Sequence, residues 1–452
     1  MNSPVRRGAC PGLSAPMPTG DGLLVRLMPI GTIPLDAFTE LCAAAQTHGN
    51  DVMEITARGS IQVRGLNAAS APRFAAAIAA LGIAAEDGIP VLSNALAGID
   101  PEEILDAGAL AADLRRALAR RSLAARLAPK ISVVIDGGGT LNLDSLAADV
   151  RLRAEATNRG VSLCVGIGGD GASAVQLGAI APAHGVEAVV RALEVIAQRG
   201  RDARACDVFK AEGVTVFQAA LSSCPALCRA STSHAQSEPK DVDGRDIGER
   251  SDAVLRTAMP GHDGVGMRGD AIGLHRLRDG SLACGVGLAF GHADAASLER
   301  LAEAAGAAGA TGVRAAAARA LMIIGLTHET LSSFVAAAER LGFIVRADDP
   351  RRHVVACAGA PICSSAHIAA RAIAPAIAQA SAPHLDRSFT IHISGCAKGC
   401  AHPAPNALTV VGTSDGCALI ADGCTRDAPF AIVPADQLPA AIATAVWERR
   451  HV

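Results

Sequence analysis

Aromatic residues are scarce: the 452-residue chain has no Tyr, one Trp and nine Phe. Little is left from which to build stacking platforms for nucleic-acid bases. Charge imbalance is equally small. Lys and Arg number 41 against 44 Asp and Glu, leaving -3 at pH 7, which gives no general attraction to polyanions or membrane surfaces. No uninterrupted apolar run approaches the roughly 20 residues that cross a bilayer. The first residues, MNSPVRRGACPGLSAPMPTG, carry two Arg with no apolar segment behind them. They read as a loose tail, not a signal peptide. A soluble, cytoplasmic, monomeric protein that binds neither nucleic acid nor membrane is expected. In that reducing setting the 13 Cys are expected as metal ligands, catalytic groups or buried thiols rather than disulfides.

The length suffices for about two to four domains, and an internal repeat organises them. GNDVMEITARGSIQVRGLNAASAPRFAAAIAALGI (49–83) lies over GATGVRAAAARALMIIGLTHETLSSFVAAAERLGF (309–343) at a constant offset of 260. Gly49 meets Gly309, Gly65 meets Gly325, Phe74 meets Phe334 and Gly82 meets Gly342. An upstream strand recurs from Asp21 and from Asp279, with a two-residue slip. Further on, KISVVIDGGGTLNLDSLAADVRL (130–152) lies over TIHISGCAKGCAHPAPNALTVVG (390–412) at the same offset, each reading as strand, Gly-rich loop, strand. Two homologous halves follow. Between them, residues 228–253 are polar and nearly devoid of apolar side chains, which is expected of a flexible linker. Leu35, Phe38, Leu41 and Ala45 mark a helix that stops at Gly49. LAADLRRALARRSLAARLAPK (110–130) reads as one amphipathic helix with its Arg residues on a solvated face.

Four cysteines stand out. Cys357 and Cys363 form C-x5-C; after 32 residues Cys396 and Cys400 form C-x3-C. Four thiolates on two loops suit a four-iron, four-sulfur cluster, with glycines allowing the backbone close to the metal and supplying amides to sulfur. Structural zinc, usually drawn from spacings nearer C-x2-C, stays as the second reading.

The pattern C-x5-C … C-x3-C resembles the cluster signature of the sulfite and nitrite reductases, which carry sirohaem against the cluster. TARGSIQVRG (56–65) is similar to their T-x-R-x-x-x-Q-x-x-G segment. Within that superfamily the phrases GAPICSSAHIAAR, HISGCAKGCAHPAP and ALAGIDPEEILD resemble the precorrin-3B synthase family of aerobic cobalamin biosynthesis. CAKGCAHP departs from the reductases' C-x-N-G-C. The resemblance implies a duplicated α+β fold. Its expected parts are a tail (1–18), a first ferredoxin-like half-repeat (19–88), a first sirohaem-type α/β domain (89–227), the linker (228–253), a second half-repeat (254–347) and a cluster-binding α/β domain (348–452). It also implies hydroxylation of precorrin-3A at C20 by dioxygen, with a γ-lactone closed from the ring-A acetate. Cys357, Cys363, Cys396 and Cys400 would hold the 4Fe-4S cluster. A mononuclear non-haem iron would accompany it, and electrons would come ultimately from NADH through an external electron-transfer protein.

A tetrapyrrole fringed with carboxylates calls for cationic and amide donors, Arg above all. Arg58, Gln62 and Lys398 are candidates on motif matches; Arg64, Arg314 and Arg319 match the synthases more loosely, and Lys130 precedes the Gly loop. Between Arg314 and Arg319 the chain reads RAAAAR, where the family pattern has Pro and Trp. The loop DGGG (136–139) takes the place of the Cys loop in the first half and is expected to expose amides as an anion nest. GIGGDG (166–171) lacks the strand–turn–helix and acidic residue of a dinucleotide site, so it reads as a loop. For the mononuclear iron His392, His402, His367 and Asp136 are in the neighbourhood, none with ligand spacing. A sirohaem sulfite or nitrite reductase is the alternative reading, and a metal-bearing tetrapyrrole carrier a third.

Overall fold

The computed structural model describes residues 11–86, 88–158, 160–222, 269–385, 389–402 and 405–451. The expected linker and residues 1–10 of the expected tail lie outside them. Four five-stranded sheets result. The first is β1 (Met17–Thr19), β2 (Gly22–Leu27), β5 (Ile61–Leu66), β4 (Val52–Ile55) and β13 (His292–Asp294), in that order. The second is β11 (Gly273–Arg276), β12 (Leu282–Gly287), β15 (Ala320–Leu326), β14 (Gly312–Ala316) and β3 (Ile33–Pro34). Each therefore borrows its last strand from the other half. The tail ends sooner than expected, because Met17 and Pro18 already pair with Leu24 and Leu23.

Helices α1 (Leu35–His48), α2 (Ser70–Ala80), α7 (Ala295–Ala307) and α8 (Leu331–Arg340) cover one face of these two sheets. Alternation along each strand sends every second residue to that side. Met53, Ile61 and Val63 from one sheet and Leu321 and Ile323 from the other join Phe38, Phe74, Leu298 and Phe334 in a single core. The two half-repeats are thus one packed body.

The remaining sheets are β6 (Val91–Leu92), β7 (Val133–Asp136), β8 (Val150–Thr157), β9 (Gly160–Ile167) and β10 (Val175–Ile180), and β16 (Val354–Ala356), β17 (Ile391–Ser394), β18 (Asn406–Thr413), β19 (Gly416–Gly423) and β20 (Ala431–Val433). In both, the first three strands run parallel and the last three antiparallel. Helices α3 (Ala107–Arg121), α4 (Gly185–Ala197), α5 (Ala205–Glu212) and α6 (Thr215–Leu221) pack on the first, α9 (Ala370–Ser381) and α10 (Leu438–His451) on the second.

The duplication is therefore present throughout, with three corrections. The upstream strands β2 and β12 keep the offset of 260, and the expected slip is confined to the preceding turn. In the α/β sheets Val133 answers to Ile391 and Val150 to Asn406, so the register shortens by two residues at each step. Asp136 is consequently the counterpart of Ser394, not of Cys396. The Arg-rich helix stops at Arg121, because Ser122 is left-handed (φ 50°). Its Arg residues are not merely solvated: Arg115 binds Glu86 at 2.7 Å.

Candidate active site at the cysteine loops

Parallel strands deliver their following loops to one end of the sheet. Cys357 follows β16, and Cys396 and Cys400 follow β17. Cys363 closes a tight loop in which its amide donates to the Gly359 carbonyl at 2.8 Å. Gly359 has φ 68°, and a Cβ there would sit 2.4 Å from the Ala370 amide nitrogen; only Gly allows that approach. The Gly395 amide donates to Cys357 Sγ at 3.0 Å, a backbone donor to sulfur of the kind a thiolate requires.

The cysteines are free thiols among the described residues. Burial pushes Cys357 up, and the neighbouring Cys396 and Cys363 add to it. Burial also pushes Cys400 up, followed by Cys357, Cys396 and Cys363. All four thiols thus share one electrostatic environment. Among the described residues no three His, Cys, Asp or Glu side chains converge on a single ion. A tetrahedral zinc needs four sulfurs about 2.3 Å from one point. Cys363 also touches the β1–β2 turn: a Cβ on Gly20 would lie 2.4 Å from its Sγ and 2.9 Å from the Ser364 amide nitrogen. Gly20→Ala is expected to push the turn off the cysteine loop at a cost of about 1–3 kcal/mol. An unchanged thermal midpoint would show that the turn yields instead.

Facing the loops is the polar side of the first half-repeat sheet. Arg26 and Glu54 are the cross-strand neighbours of Gln62. With its amide turned to suit them, Gln62 donates to Glu54 at 3.0 Å and accepts from Arg26. Arg64 clasps Asp21 through two bonds of 2.7 Å and approaches Glu54 at 3.5 Å. Burial opposes the Arg64 charge, but Asp21 and Glu54 outweigh it and hold its pKa up. Burial likewise presses on Asp21, and Arg64 still holds it below the usual carboxylate range. Arg371, in the first turn of α9, reaches Glu54 from the cysteine side. Burial depresses it; Glu54 acts against this, Arg64 adds to it, and Asp21 and Cys357 oppose it. At the equivalent positions of the second half stand Val286, Met322 and Ile324; the last two pack with Leu96, Leu141 and Ile272. The fourth position, that of Glu54, is taken by Arg314, the cross-strand neighbour of Met322, so the acidic partner and two of the cations of the first face are missing from the second.

Of the sequence candidates, Gln62, Arg64, Arg319 and Lys398 are brought to this region. Lys398 Nζ donates to Ser365 Oγ at 2.9 Å, tying the two cysteine loops together. Arg319, left-handed at φ 64°, donates to the Ala401 carbonyl at 3.4 Å. Three lie elsewhere. Arg58 is exposed and donates to the Ala147 carbonyl and to Ser132 Oγ at 3.4 Å. Lys130 is exposed before β7, at the end of the strand remote from the Gly loop. Arg314 is engaged by Thr32 Oγ1 at 2.7 Å and by the carbonyls of Ala95 and Ala97 at 3.2 and 3.0 Å.

The anion nest is overturned. A Cβ at Gly137 would lie 2.3 Å from the Leu105 carbonyl, and one at Gly139 2.3 Å from Asp100, so the chain's own 100–105 segment fills the space left for a ligand. Asp136 takes the Gly138 and Leu143 amides at 2.9 and 3.3 Å. His367 is exposed. His392 is fully buried, and its rings stand 6.0 Å from those of His402. Burial, with His402 and Arg319 acting the same way, pushes His392 down to about 4, so the ring is neutral. A cavity of about 430 Å3 lies at the other end of β16 and β17, lined by Asn94, Asn142 and Thr390 among others, and does not include the cysteines. Glu54, Arg26, Asp21 and Arg371 escaped the sequence reading; no motif marks them.

Fold and site together define a protein of nitrite and sulfite reductase type. Residues 15–81 match the nitrite/sulfite reductase ferredoxin-like half domain. The solved structure of the Mycobacterium tuberculosis NirA protein superposes with a TM-score of 0.71, at 19% identity, over 94% of this chain and 80% of that one. A precorrin-3B synthase from Sinorhizobium sp is 38% identical over 440 residues, 97% of this chain and 88% of the relative. The chain belongs to the precorrin-3B synthase family, enzymes of cobalamin biosynthesis. Among the described residues no helix is long and apolar enough to cross a membrane.

Proposed function

We propose that this enzyme converts precorrin-3A to precorrin-3B: hydroxylation at C20 by dioxygen, with the ring-A acetate closing a γ-lactone onto C1. The observation that supports the reading is the meeting of four cysteine thiols with a sheet face that bears Arg26, Glu54, Gln62 and Arg64. Cys357, Cys363, Cys396 and Cys400 would hold a 4Fe-4S cluster, which supplies electrons one at a time. The reaction balances when one oxygen atom enters the substrate, the other leaves as water, and an external donor fed by NADH delivers two electrons with two protons.

The chain's own residues do the binding. Arg64 and Arg371 present guanidinium groups beside the cysteines, and Arg26 and Gln62 continue the row. Such a surface suits the carboxylate fringe of a tetrapyrrole, because Arg pairs with carboxylates in a planar fork. Arg319 and Lys398 flank it from the cysteine side. Arg58, on the β4–β5 hairpin and held by Ala147 and Ser132, is not part of this row. Cys400 is exposed, which leaves the cluster edge accessible to an electron-transfer protein.

The test is single-turnover conversion of precorrin-3A by anaerobically purified protein, with and without dioxygen. Product is expected only with dioxygen, from a protein showing the broad sulfide-to-iron absorption and no macrocycle bands. Sharp sirohaem bands would move the enzyme to sulfite or nitrite reduction. Turnover under strict anaerobiosis would sink the proposal, and stoichiometric binding without product would favour a carrier.

A further inference from the structure

The cavity of about 430 Å3 lies at the loops that follow β6 and β7 and is closed by the second half-repeat and the starts of β16 and β17. Those loops are the counterparts of the ones that carry the cysteines, so the duplication leaves a second hollow on the side without them. Its size falls toward the lower end of the range for small-ligand pockets, about 300–1,000 Å3, and is too small for a whole tetrapyrrole. Most of the wall is apolar, with Leu141, Leu143, Ile272, Leu288, Phe290 and Ile344 prominent. One buried donor in the wall is left over. Asn94 is 5% exposed, its Oδ1 accepts from the Leu96 amide at 2.8 Å, and its Nδ2 has no partner. An unpaired buried amide is costly and calls for a missing acceptor.

The other charges of the wall are matched. Arg352 clasps Asp270 through bonds of 2.9 and 2.7 Å, and Arg351 holds Asp349 at 2.6 Å. Arg319 is the exception. Among the described residues it forms no ion pair, and its hydrogen bond is the one of 3.4 Å to the Ala401 carbonyl. Burial pushes its pKa down, with Glu54 acting against this. A guanidinium taken out of water without a counter-charge is costly. Its backbone is costly too. At the offset of 260 Arg319 answers to Gly59, and both are left-handed, at φ 64° and 76°. The first half fills this turn with the residue that suits it; the second keeps the turn and places an arginine there. Ala318 and Phe290, also on the wall, are left-handed at φ 60° and 59°. Strain of this kind gathers at binding sites, where the surroundings enforce it. The Arg319 stem is pressed against the same wall, since a Cβ on Gly291 would lie 2.7 Å from its Cδ.

We infer that this cavity is a binding site for a small organic acid, a molecule with an apolar body and a single anionic group that pairs with Arg319. One unmatched cation in an otherwise balanced wall sets the charge of the ligand, and the apolar lining sets the character of its body. Arg offers a planar fork to a carboxylate, and Asn94 offers a donor to a further oxygen of the ligand or to a water bound with it. A second negative charge would enter an apolar enclosure with no cation left to meet it, and a cationic ligand would stand against Arg319. The inference is independent of the proposed function, because none of the four cysteines lines the cavity.

The test is equilibrium dialysis of the full-length protein, as purified, against two probes. One is 8-anilinonaphthalene-1-sulfonate, an apolar body with one anionic group; the other is its uncharged parent, N-phenyl-1-naphthylamine. Wild type, Arg319→Gln and Ala317→Phe are compared. Wild type is expected to take up about one sulfonate per chain, as a single enclosed pocket would, and excess decanoate is expected to displace it. Arg319→Gln is expected to weaken the sulfonate roughly tenfold or more and to leave the uncharged probe within about twofold, since only the charged partner has been removed. Ala317→Phe puts a ring at a half-buried position of the wall and is expected to weaken both probes. It keeps the test decisive should Arg319→Gln fail to fold. Uptake that does not saturate, a sulfonate unaffected by Arg319→Gln, a parallel loss of both probes in Arg319→Gln, or both probes unaffected by Ala317→Phe overturns the inference. Displacement of the sulfonate by precorrin-3A would give the cavity to the tetrapyrrole and overturns it as well. Failure of the dioxygen-dependent conversion bears on the proposed function alone.

Discussion

Cys396→Ser and Cys363→Ser are each expected to yield protein without the brown chromophore and without most of about four cluster irons. The second α/β domain should unfold earlier as well, because metal binding and folding are linked when ligands come from loops with little structure of their own. Cys357 and Cys363 lie on a loop pinned by Gly359 and Gly395, and Cys396 and Cys400 on a loop joined to it through Lys398 and Ser365. Without a central body, burial and four neighbouring thiols oppose one another's ionisation. The chain contains a single Trp, Trp447 on α10 of this same domain. Its fluorescence reports the domain's unfolding separately from the half-repeats. A variant with full iron content and an unshifted Trp447 transition would refute the ligand assignment.

The second large effect is expected from Glu54→Gln. Glu54 is the one carboxylate shared by Arg64, Arg371 and Gln62, and the three charged side chains are 12, 10 and 19% exposed for Arg64, Arg371 and Glu54. Its removal leaves Arg64 with Asp21 but strips Arg371 of its counter-charge at the interface between the first half-repeat and α9. Breaking a buried pair from one side costs about 3–5 kcal/mol, since the remaining charge stays desolvated. The loss should appear in urea unfolding, and pairing Glu54→Gln with Arg371→Gln should recover part of it. A loss below about 1 kcal/mol would mean that water reaches the pair and that it behaves as a surface bridge.

These two experiments concern features of opposite legibility. The cysteine quartet was readable because its spacing is local: each pair sits on one loop, and glycine on either side announces a tight approach. The duplication was readable for a similar reason. Gly49, Gly65 and Gly82 recur as Gly309, Gly325 and Gly342; all but Gly49 adopt positive φ, and the pairs Gly65/Gly325 and Gly82/Gly342 do so at equivalent positions. Helix α1 could be read from the spacing of Leu35, Phe38 and Leu41. Its neighbour α3 was drawn too long, because nothing in the run of Ala, Leu and Arg marks Ser122 as a left-handed stop.

The Glu54–Arg371 pair was not readable, since 317 residues separate its members and an Arg at the start of a helix has no signature of what it will face. The exchanged strands β3 and β13 are two and three residues long, too short for any periodicity. Arg58, Lys130 and Arg314 had the residue type that tetrapyrrole carboxylates call for, yet side-chain type does not settle direction. Arg314 turns to the carbonyls of Ala95 and Ala97 because the second half-repeat packs there. The DGGG loop had the composition of a nest, and the 100–105 segment filled it.

By itself the sequence determined what depends on neighbours along the chain: the repeated strands and helices, the glycine turns, the four thiols in two short loops, and the family those phrases belong to. Tertiary structure alone decided what depends on the meeting of distant segments. It chose which of two equivalent sheet faces meets the cysteine loops, which arginines lie beside the cysteines, and where a buried histidine is left without a partner. Those outcomes follow from packing two copies of one scaffold against each other, where a residue's environment is set by the opposite copy.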